Sequence, residues 1–175
     1  MAFVDLRAAH SGRLLVASPL MGDPNFARSV IYLADHSPAG TLGVLLTRPT
    51  TVRLPDILER WRTSLAAPDM LFSGGPVTPD GVLALGHSTA GEVVIVDLDD
   101  DQPADFQHVR IFHGYAGWGA GQLNGELDES AWLVVDGTAA DVFDDIPATL
   151  WRRILARQHG EVSWLAAYPD DVNAN

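Results

Sequence analysis

Glycine and proline recur along the whole chain, 16 and 11 of them, and cut it into apolar runs of roughly four to eight residues. Runs this short, rich in Val, Ile, Phe and Tyr, favour strands joined by tight turns over long helices. Arg13–Ala17 stops at Ser18-Pro19 and reads as a buried strand, and Ser29–Leu33 as a second. A polar turn over Asp35–Thr41 leads into Leu42–Thr47 and makes a hairpin. Met70–Phe72 is extended up to Gly74-Gly75-Pro76. Val82–Leu85 and Val93–Leu98 flank a turn containing Ser88–Gly91, a second hairpin. Val109–Phe112 runs into the glycine-dense stretch Gly114–Gly121, and Trp132–Val135 is extended again.

Helical signals are fewer. Pro55 suits a first helical turn, with Ile57, Leu58 and Trp61 at helical spacing after it. Gln122–Leu127 reads as a helix. Thr138 with Asp141 three residues on resembles a capping box. Leu150, Trp151, Ile154 and Leu155 line one face of a helix that Gly160 ends. Hairpins outnumber helical crossovers, so the expected class is α+β with a mixed sheet. At 175 residues with 47% hydrophobic content, the chain is expected to form one domain over 1–175. Its last residues, about 169–175, are expected to fray. No window offers the ~18 apolar residues of a membrane span. Met1–Leu20 is interrupted by Asp5, Arg7, His10 and Arg13, unlike a secretory leader. A cytoplasmic protein with no membrane partner is expected.

All eleven basic residues are arginine, and the chain lacks lysine and cysteine. That excludes Schiff-base chemistry, a P-loop lysine, disulfides, a thiol nucleophile and Cys-ligated zinc. Eleven Arg against 23 Asp and Glu leave a net charge of −12. Residues 1–62 hold seven Arg and five acids, so the remainder carries the deficit. Asp97, Asp99, Asp100, Asp101 and Asp105 read as a solvated loop; the spacing lacks the glycine and distal glutamate of a calcium loop.

Four patterns bear on chemistry. Gly86-His87-Ser88-Thr89-Ala90 approaches a nucleophile elbow, but Ser88 falls between two strands rather than between strand and helix. Gly114, Gly117, Gly119 and Gly121 lack the order of a dinucleotide-binding turn, and read as close backbone packing or as a ligand-facing loop. The histidines, His10, His36, His87, His108, His113 and His159, show no metal-ligand spacing. Asp23-Pro24-Asn25-Phe26 reads as a turn in which Asp23 caps and Phe26 plugs the core. Arg28 then stands ready for a carboxylate. No cofactor or metal is implied.

Taken in order, several blocks resemble the YqgE/AlgH family. They are Gly12–Leu33 (GRLLVASPLMGDPNFARSVIYL), His36 with Gly40-Thr-Leu-Gly43, Leu71–Val77 (LFSGGPV), and Phe112–Leu123 (FHGYAGWGAGQL), with Glu126 and Trp132 following. One departure is Thr47, where the family's triplet has asparagine. The resemblance implies a bifurcated β-sheet with a small barrel-like part surrounded by helices. It brings no established catalytic residues; the family is bacterial, and one branch is labelled a transcriptional regulator. The positions matching a family site would be Asp23, Phe26, His36, Gly74, Gly75, Pro76, Trp118 and Gln122, and the loops at Asp23–Phe26, Gly74–Pro76 and Gly117–Gln122 are expected to be spatial neighbours.

Three functions are then open. The first is a non-catalytic module binding an unknown protein or small-molecule partner. The second is a hydrolase or isomerase using Asp23 and His36 as an acid–base pair, which requires hydrogen-bond reach. The third is a DNA-binding regulator, which a charge of −12 disfavours.

Overall fold

A computed structural model describes residues 9 and 11–170; Asp5, Arg7 and His10, named above, lie outside them. Among these residues are nine strands: β1 (Arg13–Ala17), β2 (Val30–Ser37), β3 (Gly40–Leu45), β4 (Pro49–Arg53), β5 (Met70–Ser73), β6 (Val77–Ser88), β7 (Val93–Val96), β8 (Phe106–Gly119) and β9 (Trp132–Asp136). Four helices follow or interrupt them: α1 (Gln122–Asp128), α2 (Ala139–Val142), α3 (Pro147–Ala156) and α4 (Glu161–Trp164). The class is α+β with a mixed sheet.

The sheet runs β4-β5-β8-β3-β2-β1-β9, and β6 with β7 branches from β8. The long β8 is shared between two leaves. Its first part pairs antiparallel with β6 and, at Phe112 and His113, parallel with β5. Its last part, Ala116–Gly119, pairs antiparallel with β3. Gly114, at φ +64°, marks the fork. The sheet is therefore bifurcated, but it stays open rather than closing into a barrel-like part. Among the described residues β4 pairs only with β5 and β7 only with β6. β4 starts at Pro49, which has no N–H to donate, and is exposed at most positions, so the ladder stops there.

Both faces of β1 are covered, which explains its unbroken apolar run. Leu14 and Val16 join a core with Val30, Phe72, Phe112 and the inner face of α3. Leu15 and Ala17 join the opposite core with Ile31, Leu33, Trp118 and Trp132. α3 buries Leu150, Trp151, Ile154 and Leu155, at about 1.5–3 kcal/mol for each large side chain. The Trp151 indole N–H donates to Ala17 O at 2.9 Å.

Four local expectations change. The Pro55 segment forms two 3-10 turns, Leu54–Asp56 and Glu59–Trp61, instead of a helix. Ile57 is 64% exposed while Trp61 is buried, so the apolar spacing never made a single face. The strand of Ser29–Leu33 continues to Ser37, shortening the hairpin turn to Pro38-Ala39. The glycine stretch through Gly119 is strand, not loop. Finally, α3 closes at Ala156, and Gly160 precedes α4. At the end of the described residues, Arg28 bonds Pro169 O, and Arg152 pairs with Asp170 at 2.6 Å. Residues 171–175 lie outside the described part. No helix among the described residues is long and apolar enough to cross a membrane.

The capping box forms as read: Thr138 N and Oγ1 donate to Asp141 Oδ2 at 2.8 and 3.1 Å. Arg157 adds a two-pronged grip on the same carboxylate, at 2.6 and 2.7 Å. Burial alone would raise the Asp141 pKa; the Arg157 and Thr138 bonds outweigh it and hold the carboxyl below its ordinary value. A carboxyl held low contributes stability that is complete above its unfolded pKa, about 3.9, and is lost as pH falls through the lower folded value. Asp141→Asn is expected to lower stability by about 1–3 kcal/mol at neutral pH. In thermal melts, the gap between variant and parent should close in acid; a gap that persists there would rule out this role.

Candidate functional site

The hairpin tip between β2 and β3 leans on the end of β8. Gly40 (φ +155°) has no room for a side chain, because an added Cβ would lie 2.8 Å from Trp118 O. Two hollows flank this crossing. The first, of about 490 Å³, is lined by Asp35, Ser37, Gly40, Tyr115, Gly117 and Trp118. The second, of about 460 Å³, is lined by His36, Pro38, Thr41, Gly119, Leu123 and Asn124. Ser37 and Thr41 contribute to both. Strand alternation sends Asp35 and Ser37 to one side of β2 and His36 to the other. His36 Nδ1 and Thr41 Oγ1 lie 2.6 Å apart in a hydrogen bond that fixes the ring at the wall. The surface offers hydroxyls, one imidazole, one carboxylate and two aromatic rings.

Of the residues singled out from the sequence, His36 and Trp118 line these hollows. Gly74 and Gly75 lie behind them: Gly74 N donates to His113 O at 2.8 Å, and Gly75 abuts the backbone of Tyr115 and Ala116. Pro76 connects them to β6. Phe26 reaches Trp118 only through Trp132, with ring centroids 5.6 Å apart for Phe26–Trp132 and 6.1 Å for Trp118–Trp132. That is core packing. Asp23 serves its own turn, its Oδ1 accepting the Asn25 N–H at 2.9 Å.

Gln122 does structural work at the strand-to-helix junction. Its Oε1 accepts from Gly119 N at 3.0 Å, and its Nε2 donates to Glu126 Oε1 at 3.2 Å. Glu126 Oε2 accepts the indole N–H groups of Trp118 and Trp132 at 2.9 and 2.8 Å. The Trp118, Gln122, Glu126 and Trp132 set is thus a polar bracket pinning α1 to β8 and β9. Thr41 and Tyr115 escaped sequence reading as site residues, although both stand inside the quoted motif blocks.

Asp23 and His36 are not a pair. One carboxylate oxygen caps Asn25 and the imidazole holds Thr41; no hydrogen bond between the two exists among the described residues. Ser88 ends β6, and its Oγ accepts the Glu92 N–H at 3.1 Å, a hairpin contact. A third hollow of about 540 Å³ lies apart, lined by His87, His108, Phe143 and Asp145 among others. Its three rings stack at 6.0–6.4 Å. Among the described residues no group of three or more His, Asp or Glu could hold a metal ion.

Fold and site together define a forked-sheet α+β protein whose hollows gather at a hairpin tip. A family model described as AlgH-like matches residues 14–163. A UPF0301 protein of Streptomyces coelicolor is 44% identical over 184 residues, covering 94% of this chain and 95% of that one. A UPF0301 protein of Thermobifida fusca is 40% identical over 192 residues, with 97% of each covered. Among solved structures, protein DIP2367 of Corynebacterium diphtheriae superposes with a TM-score of 0.84 at 27% identity, over 91% and 92% of the two chains. The solution structure of AlgH from Pseudomonas aeruginosa gives a TM-score of 0.67 at 29% identity, over 95% and 96%. The chain belongs to the AlgH-like, UPF0301 family.

Proposed function

We propose that this chain is a non-catalytic cytoplasmic binding module, which takes a small-molecule or protein ligand at the β2–β3 hairpin tip and regulates through it. The observation that carries the reading is the pair of hollows sharing Ser37 and Thr41. Hydroxyl and imidazole groups lie beside the Tyr115 and Trp118 rings there, a lining suited to orienting a polar ligand. The acid–base alternative lacks its required contact, since Asp23 and His36 each bond elsewhere.

Direct DNA binding is a poor fit. Six described arginines face carboxylates: Arg13, Arg28, Arg53, Arg152, Arg153 and Arg157. The other four, Arg48, Arg60, Arg62 and Arg110, donate to backbone carbonyls. Engaging phosphates would require breaking those contacts against the field of a −12 molecule.

The test is an amide-resonance titration with a panel of nucleosides, amino acids and sugar phosphates. A binding member should shift Ser37–Thr41 and Gly117–Gly119, and lose about tenfold in affinity, near 1.4 kcal/mol, in Thr41→Val. A panel that leaves those amides unmoved would count against the reading. Ester or phosphate turnover abolished by both Asp23→Asn and His36→Ala would replace it with the enzymatic one.

A further inference from the structure

The free edge of β7 is separated from β3 by β8 and β6. Among the described residues β7 pairs only with β6, with Gly86 opposite Val94 and Ala84 opposite Val96. Ser88 N donates to Glu92 O at 2.8 Å, which fixes the alternation of bonded and non-bonded pairs. Val94 and Val96 therefore turn their backbone groups to β6, while those of Val93 and Ile95 point away from it. Among the described residues nothing bonds these outward groups, and the Ile95 side chain is 58% exposed. Such an edge is a template for an added strand.

The chemistry around the edge selects what can add. Glu92, Asp97, Asp99, Asp100 and Asp101 flank β7 in the chain, and residues 92–101 contain no Arg. Five carboxylates within ten residues leave this edge strongly negative. Asp97 and Asp101 are occupied: Asp97 Oδ1 accepts from Asp99 N and Asp100 N, and Asp101 Oδ2 from Asp97 N. Arg60 holds the loop through the carbonyls of Leu98, Asp99 and Asp101 and leaves its carboxylates alone. The exposed side chains of Glu92, Asp99 and Asp100 have no cation partner among the described residues. A second copy would bring the same acids against themselves, so charge repels self-pairing. A cationic strand meets the opposite condition.

We propose that the β7 edge is a docking site for an extended, arginine- or lysine-bearing segment of a partner protein. The segment adds to β7 as a strand: its backbone bonds Val93 and Ile95, and its cations face Glu92, Asp99 and Asp100. Backbone pairing supplies the register, and charge supplies the choice of partner.

The probe is acetyl-Arg-Val-Arg-Val-Arg-Val-amide, with acetyl-Glu-Val-Glu-Val-Glu-Val-amide as its counterpart. Saturating the full chain with the first should slow amide exchange at Val93 and Ile95 by about tenfold or more, and raising the salt should weaken binding. The second peptide should not bind. Ile95→Pro removes an outward N–H, which an edge strand tolerates, and should abolish the protection at Val93. The combined Glu92→Gln, Asp99→Asn, Asp100→Asn variant leaves the edge intact and should lose the salt dependence with most of the affinity. Equal binding of both peptides, protection elsewhere only, or edge protection by dimerisation of the free chain would each overturn the proposal.

Discussion

Gly75→Ala is expected to leave no cooperatively folded protein at 25 °C. Gly75 has φ +150° and lies where β5 passes into β6 across the fork of β8. A methyl group there would overlap the Tyr115 carbonyl and the Ala116 nitrogen. Those atoms are backbone, so no rotamer change relieves the overlap; β8 itself must shift. Shifting it disturbs the Val77↔Tyr115 register on one side and the Gly43↔Ala116 register on the other. Costs above about 4–5 kcal/mol belong to such cases, and a domain has only about 5–15 kcal/mol in total. Gly125→Ala is the control. Gly125 lies within α1 with open space around its Cα, and alanine there should stabilise by about 0.5–1 kcal/mol. Urea unfolding followed by circular dichroism reads both. A Gly75→Ala protein with a parental midpoint would show that the fork gives way more easily than this geometry requires.

The same fork explains what the sequence could and could not reveal. Strands built from β-branched runs, such as Val30–Leu33 and Val93–Val96, carry their signal in their own residues. β8 does not, because Gly114, Gly117 and Gly119 have no β preference. They are strand residues because neighbours remote in sequence press on or pair with them: Gly75 against Gly114, Leu42 opposite Gly117 and Gly40 opposite Gly119. β4, Pro-Thr-Thr-Val-Arg, is exposed at most positions and shows no alternation to read. The hollows were half legible for a related reason. His36 and Trp118 stood in recognisable blocks, whereas the partnership of Thr41 with Tyr115 depends on β3 lying beside β8. Arg28 shows the opposite outcome, a carboxylate expected and a carboxylate found, with Asp170 3.7 Å away.

Arg110→Ala should be the most destabilising change of a charged residue. Arg110 is 1% exposed, in the middle of β8. Its Nη1 donates to Asp144 O at 2.9 Å and Val142 O at 3.4 Å, and its Nη2 to Ala67 O at 2.5 Å. The guanidinium carbon lies 4.3 Å from the centre of the Phe72 ring. One cation thus ties the sheet to two loops, through Ala67 O in one and Asp144 O in the other. Desolvation pushes its pKa down to about 10, against the opposing pull of Asp144 and Asp145. The cation is costly to bury, and its Nε has no partner among the described residues. Truncation to alanine orphans three carbonyls and opens a void, for a loss of about 3–5 kcal/mol. Arg110→Met separates the two effects, since it fills the space and removes the buried charge. Three orphaned acceptors, at about 1 kcal/mol each, outweigh that relief, so methionine should still destabilise, though less than alanine. Below its folded pKa of about 10 the group is charged in both states. The methionine deficit should therefore be flat between about pH 5 and 9, unlike the acid-dependent deficit of Asp141→Asn. A methionine variant as stable as the parent in urea would mean that desolvation wins, and that the carbonyls find water without the guanidinium.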